Sequence, residues 1–142
     1  MRNKEELTPS MEDYLETILL LEQKNRVARV KDIAEKLEVQ MPSVTGALKS
    51  LKSRELVEYE KNSYINLTPK GMKLAKAILH KHTILVEFFS EALGLEGENA
   101  EDQACRVEHA IDDETAERFH NLTSWISKNC STKTAPGSIA AE

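Results

Sequence analysis

Residues 29–67, RVKDIAEKLEVQMPSVTGALKSLKSRELVEYEKNSYINL, decide the fold. Val30, Ile33, Ala34 and Leu37 recur at helical spacing, so Arg29 to Glu38 reads as a short amphipathic helix. Val39 to Pro42 interrupts it. Ser43 to about Arg54 then resumes as a second helix, with Val44, Leu48 and Leu51 inward and Thr45, Lys49 and Lys52 outward. Leu56 to Glu60 and Ser63 to Leu67 are strand-like and flank Lys61-Asn62, a hairpin-turn candidate. Two short helices across a tight turn, the second opening with Pro-Ser and followed by a hairpin, form the winged helix-turn-helix pattern.

Working outward, Thr8-Pro9 reads as an N-cap followed by proline at the first helical position, and Met11 to about Gln23 as an apolar helix. Met11, Leu15 and Ile18 form its stripe, and Leu19, Leu20 and Leu21 widen that stripe enough to require packing on more than one side. Thr68-Pro69 repeats the cap signal after the hairpin. From there a long helix is expected to run to Leu93, ending near Gly94, with Ile78, Leu85, Phe89 and Ala92 inward, His82 in that stripe and His80 opposite. Asn99 is a candidate cap for a helix from Ala100 to Ile111, with Ala104, Val107 and Ile111 inward. A last helix, Asp113 to Ser127, presents Ala116, Phe119, Leu122 and Ile126, with His120 on the surface and Trp125 in the core or an interface. The expectation is a mainly α fold: a winged helix-turn-helix over 1–75, an all-helical domain over 76–127 and a flexible tail over 128–142.

The 142 residues carry a net charge of -5, but the sign is unevenly spread. Residues 1–23, 24–76 and 77–142 carry -4, +6 and -7. A basic island in an acidic chain is a candidate phosphate-facing surface, because affinity for a duplex follows local charge. Met1 to Pro9 has no apolar core for a signal peptide, and no later run approaches a membrane span, so a cytoplasmic protein without a membrane partner is expected. Two cysteines without framework spacing fit a reducing compartment.

Cys105-Arg106-Val107-Glu108-His109, read as helix, sets a thiol, a carboxylate and an imidazole at i, i+3 and i+4, within reach of one another on one face. The ordinary alternative is a half-buried cysteine beside two solvated polar residues. For Asp13 the ordinary reading is a first-turn acid favoured by the helix dipole, and for Glu16 a solvated surface acid. Cys105 as a nucleophile with His109 as base would need an oxyanion hole, which nothing in the sequence supplies, so no enzyme is expected.

The chain resembles the diphtheria-toxin-repressor family, and within it the shorter manganese-transport-regulator branch. The resemblance rests on Pro9 to Glu16, on Asp32-Ile33-Ala34-Glu35-Lys36-Leu37 leading to Pro42-Ser43-Val44-Thr45, on Leu67-Thr68-Pro69-Lys70-Gly71, on Lys81-His82 and on Ala104 to His109. It runs in consistent order over roughly residues 7–127. What it implies is a homodimeric, metal-activated repressor of metal-uptake or homeostasis genes, acting on double-stranded operator DNA and lacking the SH3-like domain of longer members.

Carried over residue by residue, the resemblance implies metal ligation by Asp13, Glu16, His82, Cys105, Glu108 and His109. Asp13 and Glu16 follow the manganese-type pattern, whereas Cys105 follows the iron-type pattern. Val86 and Glu101 stand where the iron-type second site has an acid and a histidine. The implied cofactor is a divalent transition metal, Mn2+ or Fe2+, with Co2+ or Zn2+ able to enter in vitro: carboxylates favour manganese or iron(II), and a thiolate pulls toward iron, cobalt or zinc. Base reading is expected from Gln40, Pro42, Ser43 and Thr45, and phosphate contact from Lys49, Lys52 and Lys61. Gly46 stands where the family often has a longer polar side chain. The alternative is a winged-helix regulator that answers an organic ligand or a protein partner without metal.

Overall fold

Apolar periodicity in the first 25 residues produces one helix, α1 (Pro9–Asn25), in the structure, a computed structural model describing residues 6–25, 27–60 and 64–130. The chain divides into two compact units, Met1–Lys76 and Ala77–Glu142. Thr8 caps α1 as its sequence announces, its Oγ1 accepting from the Met11 N–H at 3.2 Å. Met11, Tyr14, Leu15, Ile18, Leu19 and Leu21 are buried, and α1 packs on α2 (Val30–Leu37), on α3 (Met41–Ser53) and on the second strand. The wide apolar face is thereby covered on several sides.

The turn between α2 and α3 is closed by backbone geometry. Glu38 takes φ 55°, its N–H reaches Glu35 O at 3.3 Å, and the Val39 N–H reaches Ala34 O at 3.0 Å. This pair of bonds satisfies the last carbonyls of α2 and reverses the chain. A non-glycine residue in that region costs about 1 kcal/mol, offset by burial of Ile33, Ala34, Val44, Leu48 and Leu51. Helix α3 starts two residues before the expected Ser43, because Pro42 in the first turn sacrifices no helical hydrogen bond. It ends as α2 does, with Glu55 at φ 59° and the Leu56 N–H on Leu51 O at 3.0 Å.

Strands β1 (Val57–Glu58) and β2 (Asn66–Leu67) pair antiparallel with Val57 opposite Leu67. They are shorter than the expected five residues each. Ile65 instead bridges to Ala28, its N–H donating to Ala28 O at 2.9 Å, so the segment between α1 and α2 joins the sheet. The hairpin-turn candidate Lys61-Asn62 lies outside the described residues, as does the tail from Ser131. Thr68 opens α4 (Pro69–Glu87): its Oγ1 accepts from the Gly71 N–H at 3.0 Å and donates to Glu55 O at 2.6 Å, joining the end of α3 to the start of α4. Gly71 is required there, since a Cβ would overlap the Leu56 backbone carbonyl.

In the second unit, the continuous helix expected to Leu93 widens before its end. After Glu87 the chain makes a π-helical turn, Phe88–Ala92, with the Leu93 N–H on Phe88 O at 3.2 Å, and Gly94 at φ 73° ends it. The wider turn sets Phe88 against Phe119 with ring centroids 4.5 Å apart. Both α5 (Gly97–Glu108) and α6 (Asp113–Asn129) pack on this segment. Asn99 does not cap α5, which begins two residues earlier, after Glu96 in extended conformation. Asp112 caps α6, accepting from the Thr115 N–H at 2.7 Å.

Two apolar stripes differ from expectation. On α5 the buried positions are Ala100, Ala104 and Glu108, while Val107 and Ile111 are only half-buried. On α6 Ala116 and Thr123 are buried, and Leu122 is 47% exposed. Thr123 can be buried because its hydroxyl donates to Phe119 O at 2.9 Å and so leaves no unmet polar group. Trp125, 59% exposed, is outside the core of the chain.

Candidate metal centre and nucleic-acid interface

The amphipathic helix α5 lays Glu101, Cys105 and Glu108 along one face at i, i+4 and i+7, opposite His82 on α4. Glu108 is 1% exposed. Its Oε2 lies 3.0 Å from His82 Nδ1, and its Oε1 lies 3.3 Å from Nε2 of His109, the residue that ends the helix. Cys105 Sγ lies 3.8 Å from the same His82 Nδ1. One donor atom from each of His82, Cys105 and Glu108 falls within a 4.8 Å cluster.

The donor set suits a divalent first-row cation, on three grounds. Nitrogen, thiolate and carboxylate donors sit about 2.0–2.3 Å from such an ion, so they must lie within about 4.6 Å of each other around it, close to the spacing found. Cys105 is solvent-exposed, giving a path for entry. And Glu108 Oε1, fully buried, has no hydrogen bond among the described residues and faces His109 Nε2 at 3.3 Å; a carboxylate held out of water in this way is paired with a charge or coordinates a metal.

Of the other residues implied as ligands, Asp13 and Glu16 lie on α1, the first half-buried and the second 8% exposed. Glu16 is therefore not the solvated acid of its ordinary reading. His80 is exposed and paired with Glu117 at 2.8 Å, as its place opposite the stripe requires. Glu101 is the residue whose place was missed. Its Oε2 lies 2.6 Å from His82 Nε2, and the available signal was the extension of the Cys105/Glu108 face one turn toward the start of α5.

At the entrance of α3, Gln40, Met41, Pro42 and Ser43 are all exposed. Thr45 is half-buried, and its hydroxyl donates to Met41 O at 3.2 Å. Lys49 is exposed, while Lys52 Nζ reaches back to Tyr59 O at 2.9 Å and tethers α3 to the end of β1. A Cβ at Gly46 would meet nothing within 4 Å, so this position is open on the outer face of the helix. Lys61 lies outside the described residues. Arg29 stands over the exposed Tyr64 ring, 5.2 Å from its centroid, a cationic and aromatic pair that no sequence spacing announces across 35 positions.

A winged helix-turn-helix with an exposed recognition-helix entrance, together with a helical unit holding an imidazole, thiolate and carboxylate cluster, defines the class of metal-responsive DNA-binding regulators. Residues 6–64 match the iron dependent repressor N-terminal DNA binding domain, and residues 68–137 the iron dependent repressor metal binding and dimerisation domain. The chain belongs to the iron-dependent repressor family, that of the diphtheria-toxin repressor.

A helix-turn-helix transcriptional regulator of Methanocaldococcus jannaschii is 40% identical over 114 residues, 80% of this chain and 91% of that protein. The transcriptional regulator MntR of Bacillus pumilus is 36% identical, covering 86% of this chain and 84% of its own. Among solved structures, the manganese regulator SloR is 31% identical with a TM-score of 0.73 over 84% of this chain. IdeR of T. acidophilum is 27% identical with a TM-score of 0.73 over 87% of it. The chain spans 55% and 56% of those two solved chains. These relatives are regulators, not enzymes, and no helix among the described residues is long and apolar enough to cross a membrane.

Proposed function

We propose that this chain is a homodimeric repressor that binds operator DNA when loaded with Mn2+ or Fe2+ and thereby controls genes of metal uptake or homeostasis. The observation that carries this reading is the cluster of His82, Cys105 and Glu108 donors within 4.8 Å, with Glu108 buried and His109 against it. Asp13 and Glu16 are proposed as the ligands from α1. Family resemblance supports them, as does the burial of Glu16, since carboxylates held out of water are paired or coordinate metals. Metal and operator binding are then coupled, by about 1–3 kcal/mol in typical cases, and reciprocally.

On the DNA side, Gln40, Pro42, Ser43 and Thr45 are proposed to meet base edges, and Lys49, Lys52 and Lys61 phosphates. The exposure of residues 40–43 and of Lys49 supports this assignment. The exposed Leu122 and Trp125, one turn apart on α6, favour a homodimer, in which an apolar face of this kind is covered by a second copy. Elemental analysis combined with operator titrations against manganese, iron(II), cobalt and zinc under anaerobic conditions tests the proposal. Tightening of operator binding by manganese or iron(II) is expected, and indifference to all four metals would refute it.

A further inference from the structure

We infer that Glu101 is a positioning residue for the metal centre: its carboxylate fixes the His82 ring so that Nδ1, not Nε2, faces Glu108 and Cys105. The inference rests on the assignment of His82 as a ligand proposed above, and goes beyond it by naming a residue outside the implied ligand set.

The two ring nitrogens of His82 face different carboxylates. Nε2 lies 2.6 Å from Glu101 Oε2, whereas Nδ1 lies 3.0 Å from Glu108 Oε2 and 3.8 Å from Cys105 Sγ. Both carboxylates accept, so without metal the ring can donate to either of them. With a cation on Nδ1, the atom in the donor cluster, that nitrogen carries no hydrogen, and the single N–H of neutral imidazole is the one on Nε2 that donates to Glu101. A carboxylate on the far nitrogen fixes the tautomer and ring orientation of a metal-ligating histidine and raises its basicity. The His82 side chain is 12% exposed and that of Glu101 59%, so Glu101 closes the outer side of an otherwise enclosed ring. Helical spacing places it there: Glu101 stands one turn before Cys105 and two before Glu108 on the same face of α5.

Glu101→Ala, Glu101→Gln and His82→Ala, each in the full chain, test this by anaerobic titration with Co2+ alone against a competing chelator. The cobalt d–d and thiolate charge-transfer bands are read alongside, and the His82 ring nitrogens by NMR in the Zn2+-loaded protein. Glu101→Ala should weaken cobalt binding by about 10-fold, the lower end for a residue behind a ligating histidine because Glu101 is largely exposed. The band positions and intensities should stay those of the parent, and the NMR should show Nδ1 bound to metal in the parent protein. Glu101→Gln, which keeps an acceptor oxygen without charge, should fall between the parent and Glu101→Ala. Affinity within twofold of the parent in Glu101→Ala would overturn the inference. So would a changed ligand field, which would make Glu101 a ligand, or metal on Nε2. If His82→Ala also binds cobalt like the parent, the ligand assignment itself falls; if His82→Ala loses affinity and Glu101→Ala does not, only this inference does.

Discussion

Replacing Glu108 by glutamine keeps the shape of the side chain and removes its charge, at the most enclosed position of the proposed centre. The side chain is fully buried, with one oxygen 3.0 Å from His82 Nδ1 and the other 3.3 Å from His109 Nε2. Removing one partner of a buried charge pair costs about 3–5 kcal/mol. If the same loss falls on the cation, then at 1.4 kcal/mol per decade it weakens metal binding by about two to three and a half decades. The net effect belongs at the lower end, because the amide oxygen remains a donor to the metal. Glu108→Gln should therefore bind manganese or cobalt at least about 100-fold more weakly than the parent, measured by chelator competition, with operator binding at fixed metal falling in parallel. Circular dichroism and thermal melting establish that the variant is folded. A folded Glu108→Gln protein with metal affinity within threefold of the parent would refute the placement of Glu108 in the centre.

Gly71→Ala sets two effects against each other. Alanine gains about 1 kcal/mol of helix propensity, but its Cβ would overlap the Leu56 carbonyl, a backbone group that cannot rotate away. Overpacking of this kind costs about 1–3 kcal/mol, so urea unfolding should show a net loss of stability. Asp112 is held below the usual carboxylate range by hydrogen bonding from Thr115, side chain first and then backbone. Its contribution is therefore present above the ordinary carboxylate pKa and lost as pH falls through the lowered one, so the melting-temperature gap between parent and Asp112→Ala should be open at pH 7 and close in strong acid. Lys49→Ala should reduce the slope of log affinity for operator DNA against log salt by about 0.9, the value for one phosphate contact, and weaken binding similarly on every sequence.

The helix-turn-helix was legible because its signals are local. The helical recurrence of Ile33, Ala34, Val44, Leu48 and Leu51 matches their burial, and Thr8 and Thr68 cap the helices they announce. Less legible features depend on contacts far along the chain. Ala28 has no strand signal of its own and joins the sheet only because Ile65 arrives beside it. The π-helical turn at Phe88–Ala92 adds a residue to one turn, which apolar periodicity over so short a stretch does not register. Pattern reading also assigns carboxylates to the surface and valines to the core, so it chose Val107 where α5 buries Glu108. The Cys105/Glu108/His109 grouping was visible from spacing, whereas His82, by itself a histidine in an apolar stripe, entered the ligand set through the family resemblance. The role of Glu101 was not visible, because a glutamate where a family pattern has histidine reads as a lost ligand until the ring it touches is seen.

The most direct test of metal-dependent repression is operator binding by the full chain before and after chelation, followed by add-back of manganese or iron(II) without oxygen. Affinity should fall on chelation and return with metal, by about 5–150-fold if the coupling has its usual strength. Operator affinity unchanged by removal of metal would contradict the account.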